Sequence, residues 1–585
     1  MAKKTASDVL VQTLIDWGVE VVFGIPGDGV NGVIEALRER KDDIRFIQVR
    51  HEEVAAFAAC GYAKWTGKLG VCVATSGPGG IHLLNGIYDA KLDKQPVLAI
   101  TGMQHHDLLD TFTQQDVDLD KLFMDPCVYS TRVMGPAHME AVAEQACRMA
   151  LGYRQPAHIT IPIDIQSMPV DKAHRSERNI PHHVSEMMAY GGQLPDREQL
   201  QRAADILNEA KKPFILAGRG ALGARDELLA MAEKLNAPVG MPLLGKGAIP
   251  DQSPYAVGGV GLLGTKASQE AMEDCDAILI VGSAFPYVEF YPRPGKARGI
   301  QIDIDPKLIG IRFPVEAGLV GDSRRVLAEL LPLVRGNASD KFLKSAQDSM
   351  SEWRELMRER GTRTDTPMKP QVVTHELNKL IRDDSIIITD SGTITTWTAR
   401  HIDMRGDMMF SCSGNLATMA CGLGYAIGAA VAYPDRQVVT VIGDGGLAML
   451  MGDLVTFRKY ALDVKIIVIK NDVLGQIKWE QMVFLGNPEY VCELEPIDFV
   501  KVGQGCGLAT VHIEDPAQCA EQLHQALMQK GPVLSEAVVD PNEPPMPPKI
   551  GAKDALHFAQ ALVKGTPHAG KIALTVASDT VRELV

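Results

Sequence analysis

The chain has 585 residues, a formal net charge of −14, 46% hydrophobic and 23% charged residues. At about 150 residues per domain this length predicts three or four domains, and the composition is that of packed globular cores, not of a disordered chain. The acidic balance leaves no basic excess to neutralise phosphates, which excludes nucleic acid as the main partner.

The N-terminus, MAKKTASDVL, has two lysines but no apolar run behind them, so no signal peptide is expected. No stretch reaches the roughly 18 apolar residues of a membrane span. The ten cysteines are scattered, without a CxxC pair or a Cys/His cluster at zinc spacing. They are expected to be reduced thiols in a cytoplasmic protein.

Along the chain, short β-branched runs end in glycine turns and lead into Ala- and Leu-rich helical segments. That alternation predicts an α/β fold of mostly parallel sheets flanked by helices. A first region, residues 1–175, carries predicted strands at Val19–Ile25, Ile44–Val49, Val71–Thr75, Val97–Ile100 and His158–Ile163. Directly after the second of these comes RHEEVAAFAACGYAKWTG, residues 50–67. Glu52 and Glu53 either begin a helix, where acidic residues suit the dipole, or one of them is a carboxylate held in the apolar surroundings of Val54–Cys60. A carboxylate so placed is suited to proton transfer. Glu52 is the candidate for that role and Glu53 for the helix cap.

A polar stretch at Asp171–Asp196 reads as a linker. The second region, residues 197–335, has predicted strands at Phe214–Ala217, Ala277–Val281 and Gly299–Asp303, with a weak phosphate-loop hint at Gly218-Arg219-Gly220. A charged helical segment, Lys341–Arg360, leads into a second linker, Gly361–Pro370. The third region, residues 371–545, has predicted strands at Ser385–Thr389, Gln437–Ile442, Val464–Ile469 and Val533–Val539. The tail, residues 546–585, has apolar residues at helical spacing (Leu556, Ala559, Leu562, Val563) among mixed charges. It is expected to pack on its own subunit, with a peripheral contact to a membrane surface as the alternative.

The most informative segment is VVTVIGDGGLAML, residues 438–450. A buried strand runs into Gly443-Asp444-Gly445-Gly446 and opens into a helix. Glycines let a backbone approach an anion, and the helix start offers unpaired N–H groups. Asp444 can take one position on a hard cation such as Mg²⁺. A second buried strand, in KIIVIKNDVLG (465–475), ends at Asn471, whose carboxamide and the Val473 carbonyl could complete the protein's share of an octahedron. GDGG alone is an ordinary turn. Paired with Asn471 after one helix and one strand, it matches the thiamine diphosphate signature in spacing and context. With that cofactor, a buried Glu52 would protonate the aminopyrimidine ring and so ease loss of the C2 proton.

With HEEVAAFAA, SGPGG, IQIDIDP and GDGGLAMLMGD…KNDVLG in order, residues 1–570 resemble the pyruvate oxidase and quinone-linked pyruvate dehydrogenase family, with acetolactate synthases next. The resemblance implies a pyrimidine-binding domain, a central Rossmann-like domain that holds FAD, and a diphosphate-binding domain. It also implies homodimers or homotetramers, with each thiamine clamped between two chains, and pyruvate or a similar 2-keto acid as substrate. Carried across, it makes Glu52 the cofactor-activating glutamate and Asp444, Asn471 and Val473 the magnesium ligands. Gly445, Gly446, Leu474 and Gly475 become the diphosphate cradle. Ala417, Thr418 and Met419 become contacts of the thiamine rings, and Gln115 and Glu480 pocket residues. In the central domain, Val260, Gly261, Leu262, Leu263, Ser283, Ala284, Phe285, Pro286, Tyr287 and Asp303 fall on FAD contacts.

This chain departs from the family pattern near the reacting carbon. Gln114 stands where an aromatic residue is usual, Gln476 where oxidases carry Phe, and Ser391 where an apolar residue is common; Lys478 and Trp479 flank Glu480. These departures leave open oxidation of the 2-keto acid, through FAD to a quinone or oxygen, against carboligation or simple decarboxylation.

Overall fold

The helix-flanked, parallel strand pattern is what a computed structural model shows; it describes residues 4–170, 175–180, 193–337, 339–545, 547, 552–573 and 575–576. Most of the predicted linker Asp171–Asp196 and much of the tail lie outside the described residues.

The first sheet contains β1 (Val21–Gly24), β2 (Arg45–Gln48), β3 (Gly70–Ala74), β4 (Val97–Met103), β5 (Tyr129–Arg132) and β6 (Ala157–Pro162), in the order β2-β1-β3-β4-β6-β5. The second contains β7 (Pro213–Ala217), β8 (Val239–Met241), β9 (Ala256–Gly259), β10 (Ala277–Val281), β11 (Arg298–Asp303) and β12 (Ala317–Val320), ordered β12-β11-β10-β7-β8-β9. The third contains β13 (Ile386–Thr389), β14 (Met409–Ser411), β15 (Val438–Gly443), β16 (Val464–Lys470), β17 (Ala509–Ile513) and β18 (Val533–Val538), ordered β14-β13-β15-β16-β18-β17. Strand pairs within these sheets are parallel, for example Val439 opposite Lys465 and Ile278 opposite Phe214. With helices on both faces, central strands such as β4 are buried along their whole length, which is why they read as unbroken apolar runs.

The predicted strands correspond to β1–β4, β6, β7, β10, β11, β13, β15, β16 and β18. The unpredicted ones are β5, β8, β9, β12, β14 and β17, all but β8 at a sheet edge. An edge strand has one neighbour and more solvent, so its sequence is shorter or more polar. β5 is YSTR and only half-buried; β14 has three residues.

The first and third domains meet along the Glu52–Thr66 and Cys421–Ala432 helices. Glycine makes the seam possible. A Cβ on Gly428 would lie 2.5 Å from the Ala58 carbonyl oxygen, and one on Gly61 2.8 Å from the Tyr425 Cα. Beside this seam lies a buried ionic cluster. Lys64 Nζ donates to Asp93 Oδ2 and to the Cys412 carbonyl, both at 2.6 Å, with the Lys64 and Asp93 side chains 4% and 0% exposed. Burial opposes the Lys64 charge, but Asp93 and Asp89 outweigh it and hold the ammonium above its usual pKa. Asp93 also accepts from the Gly414 and Asn415 amides at 2.9 and 3.0 Å. Asp89 accepts from Ser413 Oγ at 2.7 Å and from the Tyr425 hydroxyl.

Removing the cation would strand two carboxylates in a dry interior. Lys64→Met is therefore expected to lower unfolding free energy by about 3–5 kcal/mol, read as a shifted denaturation midpoint. An unchanged midpoint would show that the cluster is not ionic.

The Ala552–Val563 helix packs on its own chain. Its buried side is only partly the one expected: Leu562 packs with Phe558 against Ala561, Trp479 and Met482, whereas Leu556 and Val563 are exposed. His557 Nδ1 lies 2.7 Å from the Phe484 carbonyl.

Candidate active site

The strand order of each sheet reverses beside its first strand, and the candidate residues gather at the carboxyl ends of strands near those reversals, where open α/β sheets form crevices. In the third sheet the reversal falls between β13 and β15. Asp390 follows β13, Gly443 ends β15, and Asp444 opens the next helix. Asp444 is buried, and its carboxylate collects three amides: Gly445 N on Oδ1 at 2.9 Å, with Asn471 N and Asp472 N on Oδ2 at 3.1 and 2.6 Å. Asp472 takes a left-handed φ of 53°, which Asp tolerates, and this turns successive amides onto Asp444. Burial raises the Asp444 pKa to about 6 against the pull of those amides.

A carboxylate has about four lone-pair positions, so Asp444 retains acceptor capacity for a cation. Asn471 Oδ1 accepts one amide, Val473 N at 3.2 Å, and the Val473 carbonyl accepts Gly475 N at 2.8 Å; each oxygen keeps a lone pair. These are hard oxygen donors, the chemistry Mg²⁺ takes.

Leu474 N donates to the Cys492 carbonyl at 2.8 Å and Leu494 N to the Asp472 carbonyl at 2.9 Å, fixing the 471–475 turn against a second segment. A Cβ on Gly445 would sit 3.3 Å from Leu474 Cδ2 and from Met419 Cε, so Met419 lies at the cradle. A Cβ on Gly446 would meet Asp390 Oδ2 at 2.5 Å.

Sequence reasoning missed Asp390. It is fully buried and accepts from Ser391 N at 2.8 Å and Ala420 N at 2.9 Å, holding the turn after Ala417, Thr418 and Met419. Burial pushes its pKa to about 7. Ala417 and Ala420 on this segment both have left-handed φ, 54° and 69°.

The first sheet reverses between β1 and β3, and the SGPGG turn follows β3. It brings Glu52 and Gln115 to one loop. Ser76 Oγ donates to Gln115 Oε1 at 2.6 Å, and a Cβ on Gly79 would lie 3.3 Å from Glu52 Oε1. Glu52 is half-buried, with its side chain 14% exposed, and Oε2 lies 3.0 Å from His82 Nδ1.

Glu53 is not the cap. His51 occupies the N-cap, its Nδ1 accepting Glu53 N at 3.2 Å, and the His51 ring stacks on His82 at 4.6 Å. Glu53 instead accepts from Asn85 Nδ2 at 2.7 Å, and Asn85 also donates to Thr418 Oγ1 at 3.0 Å. Asn85 thus ties the first domain to the segment of Ala417–Met419. Glu480 accepts from Gln476 Nε2 at 3.0 Å. Lys478 points away, into a buried pair with Glu489 at 3.3 Å, and so adds no charge beside Glu480. Among the described residues no hydrogen bond or ion pair joins Glu52 or Gln115 to Asp444 or Asn471.

In the central sheet the order reverses between β7 and β10. Gly218 and Ser283 approach so closely there that a Cβ on Gly218 would lie 2.7 Å from Ser283 Cα. Gly261, at φ 93°, brings Val260–Leu263 against Phe285, whose ring would be 2.7 Å from a Cβ at that position. Ala284 follows in that strand-end loop, while Pro286 and Tyr287 are exposed. Asp303 ends β11, is buried, and accepts from Asp305 N at 2.9 Å; burial raises its pKa. A close-approach crevice with a carboxylate at a neighbouring strand end fits a nucleotide and its ribose hydroxyls.

Sequence models of thiamine pyrophosphate enzymes match all three regions: the N-terminal TPP binding domain over residues 4–122, the central domain over 200–330 and the C-terminal TPP binding domain over 390–537. The chain belongs to the thiamine pyrophosphate enzyme family. Family relatives include YdaP of Bacillus subtilis, 39% identical over 96% of each chain. A pyruvate oxidase of Lactiplantibacillus plantarum is 32% identical over 92% of this chain and 89% of its own. An acetolactate synthase large subunit of Corynebacterium glutamicum is 30% identical over 92% and 87%. The three sheets coincide with the three domains of this family, and among the described residues no helix is long and apolar enough to cross a membrane.

Proposed function

We propose that this enzyme carries out the Mg²⁺- and thiamine diphosphate-dependent oxidative decarboxylation of pyruvate or a similar 2-keto acid, passing electrons through FAD to a quinone or oxygen. The observation that supports the reading is the presence in one chain of an oxygen-donor anchor at Asp444 and Asn471 and of a second strand-order reversal bordered by Gly218, Ser283 and Asp303. When bound, thiamine diphosphate supplies the carbanion chemistry that decarboxylation needs.

The chain's own groups do the rest. Asp444, Asn471 and the Val473 carbonyl would hold the metal. Gly445, Gly446, Leu474 and Gly475 leave the backbone open to a diphosphate, and Met419 is the apolar wedge beside it. Glu52 holds a proton for the aminopyrimidine ring, and His82 fixes the orientation of its carboxyl. Gln115, pinned by Ser76, and Glu480, pinned by Gln476, line the substrate side. Val260–Leu263, Ser283–Tyr287 and Asp303 would hold FAD.

Among the described residues no hydrogen bond or ion pair joins Glu52 to Asp444 or Asn471, and large apolar side chains are exposed beside each half. Ile81 and Phe112 flank the first; Met449, Ile477 and Tyr490 flank the second. Such rims suit a second copy, and we assign the complete site to a homodimer, free or within a tetramer.

Carboligation is the competing reading. The Gln476–Glu480 hydrogen bond favours it, because a polar wall solvates a second keto acid better than it shields a carbanion awaiting oxidation. Absorption spectra of the purified enzyme, with thiamine diphosphate and Mg²⁺, separate the two. Flavin that bleaches on anaerobic addition of pyruvate is the expected result. Pyruvate consumption with unbleached flavin, and a chiral hydroxyketo acid as product, would overturn the oxidative reading.

A further inference from the structure

A cavity of about 210 Å³ lies between the central and third domains, beside the Val260–Leu263 loop and away from the thiamine crevice. That is many times the roughly 10–15 Å³ that one water needs. Its walls come from the Lys341–Gly361 helix, the Pro370–Leu380 helix, the C-terminal end of the Thr393–His401 helix and the segment after β9. Trp353, Met350 and Met357 form an apolar side, while Arg354 and Arg358 are exposed at the rim.

The cavity's charge runs against the chain as a whole. Four cations, Lys246, Arg354, Arg358 and Arg400, line it against two anions, Asp251 and Asp403, in a protein of net charge −14. Lys246 is paired with Asp251 at 3.0 Å, and Asp403 accepts from Asn378 at 3.1 Å, so both anions are already engaged. Arg358 Nε donates to Glu355 on its own helix at 2.8 Å, so the surplus positive charge at the rim is that of Arg354, whose guanidinium donates to the Asp251 carbonyl at 2.6 Å.

One polar atom in the lining has no partner. His401 is 5% exposed, and its buried Nε2 makes no hydrogen bond among the described residues. Leaving such a group unpaired forfeits its hydrogen bond to water with no replacement, and buried polar atoms without partners are uncommon enough to require an explanation. Burial, with His375, Arg400 and Arg360 nearby, lowers its pKa to about 3, so the ring is neutral and can donate without carrying charge.

We propose that this cavity binds a small organic anion, a carboxylate or phosphate group on an apolar body. The anionic group meets Arg354, Arg358 and His401, and the body lies against Trp353 and the two methionines. The site is separate from the thiamine site. Thr393, at the far end of the helix that carries His401, lies against Gly475 of the cradle, its Cγ2 3.1 Å from where a Gly475 Cβ would be. The helix spans nine residues from Thr393 to His401, a rise of about 12 Å. Arg400 also donates to the carbonyls of Leu262 and Leu263, at 3.1 and 3.3 Å, so the cavity wall is continuous with the loop placed at the flavin.

The test titrates enzyme saturated with thiamine diphosphate and Mg²⁺ with phenyl phosphate, benzoate and, as the neutral control, benzyl alcohol, following tryptophan emission. The expected result is saturable quenching by an anion and none by the alcohol. The quenching should vanish in Trp353→Phe and require at least tenfold more ligand in the Arg354→Gln/Arg358→Gln double variant, whose turnover is unchanged. Stronger binding of phenyl phosphate assigns a phosphate ligand, and stronger binding of benzoate a carboxylate. The proposal is overturned by no quenching with either anion, by an equal response to benzyl alcohol, or by unaltered affinity in the double variant. Quenching that thiamine diphosphate displaces would also overturn it.

Discussion

Asp444→Ala is expected to weaken Mg²⁺-dependent thiamine diphosphate binding roughly 100-fold or more, beyond the 10–100-fold typical of lost outer-shell partners of a metal site. Two losses combine. The metal loses a carboxylate oxygen, and the Asn471 and Asp472 amides lose the acceptor that orients their turn. Each stranded amide costs about 1–3 kcal/mol, so the turn should loosen even without cofactor. Calorimetric titration of the variant with thiamine diphosphate, with and without Mg²⁺, reads both effects. Full Mg²⁺-dependent affinity in the variant would remove Asp444 from the anchor.

Glu52→Gln should behave in the opposite way, with binding retained and chemistry lost. The amide is nearly isosteric and can still meet His82, so the cofactor should bind with little change. It cannot release a proton to a ring nitrogen, and a positioned acid of this kind contributes about 10²–10⁴-fold. Hydrogen–deuterium exchange at C2 of the bound cofactor, followed by NMR after acid quench, should slow by that factor. Exchange at the wild-type rate would take Glu52 out of the mechanism, whatever happened to turnover.

How far the sequence reveals this molecule depends on how local each feature is. The strand–turn–helix rhythm and the Asp444 and Asn471 ends of two buried strands are local, and both are visible in one pass along the chain. Glu52 is legible because it directly follows a strand, yet assigning the cap to Glu53 fails. A charge at a helix start is only a tendency, whereas the cap is decided by geometry, and here the His51 ring reaches back first. Asn85, Asp93 and Asp390 carry no motif. Asn85 acts on Thr418, 333 residues away, and Asp93 on Gly414, 321 residues away. No spacing rule reaches across two domains. The partly unexpected buried face of the tail helix has a related cause: its partners, Trp479 and Met482, belong to the helix bearing Gln476 and Glu480, and periodicity within the tail cannot choose among its own apolar residues.

The glycine seam between the Glu52–Thr66 and Cys421–Ala432 helices bears on how substitution maps of this protein are read. Any side chain at Gly428 would push into the Ala58 carbonyl, and one at Gly424 into Phe57. Either would pry apart the two domains that Asn85 bridges. In a survey of every single-residue variant selected for activity, Gly424 and Gly428 should be depleted as severely as Asp444, although both lie along the seam. Severity alone will therefore not separate contact residues from spacers in this enzyme. The separation will come from dose: excess cofactor should rescue a weakened ligand but not a seam that no longer closes.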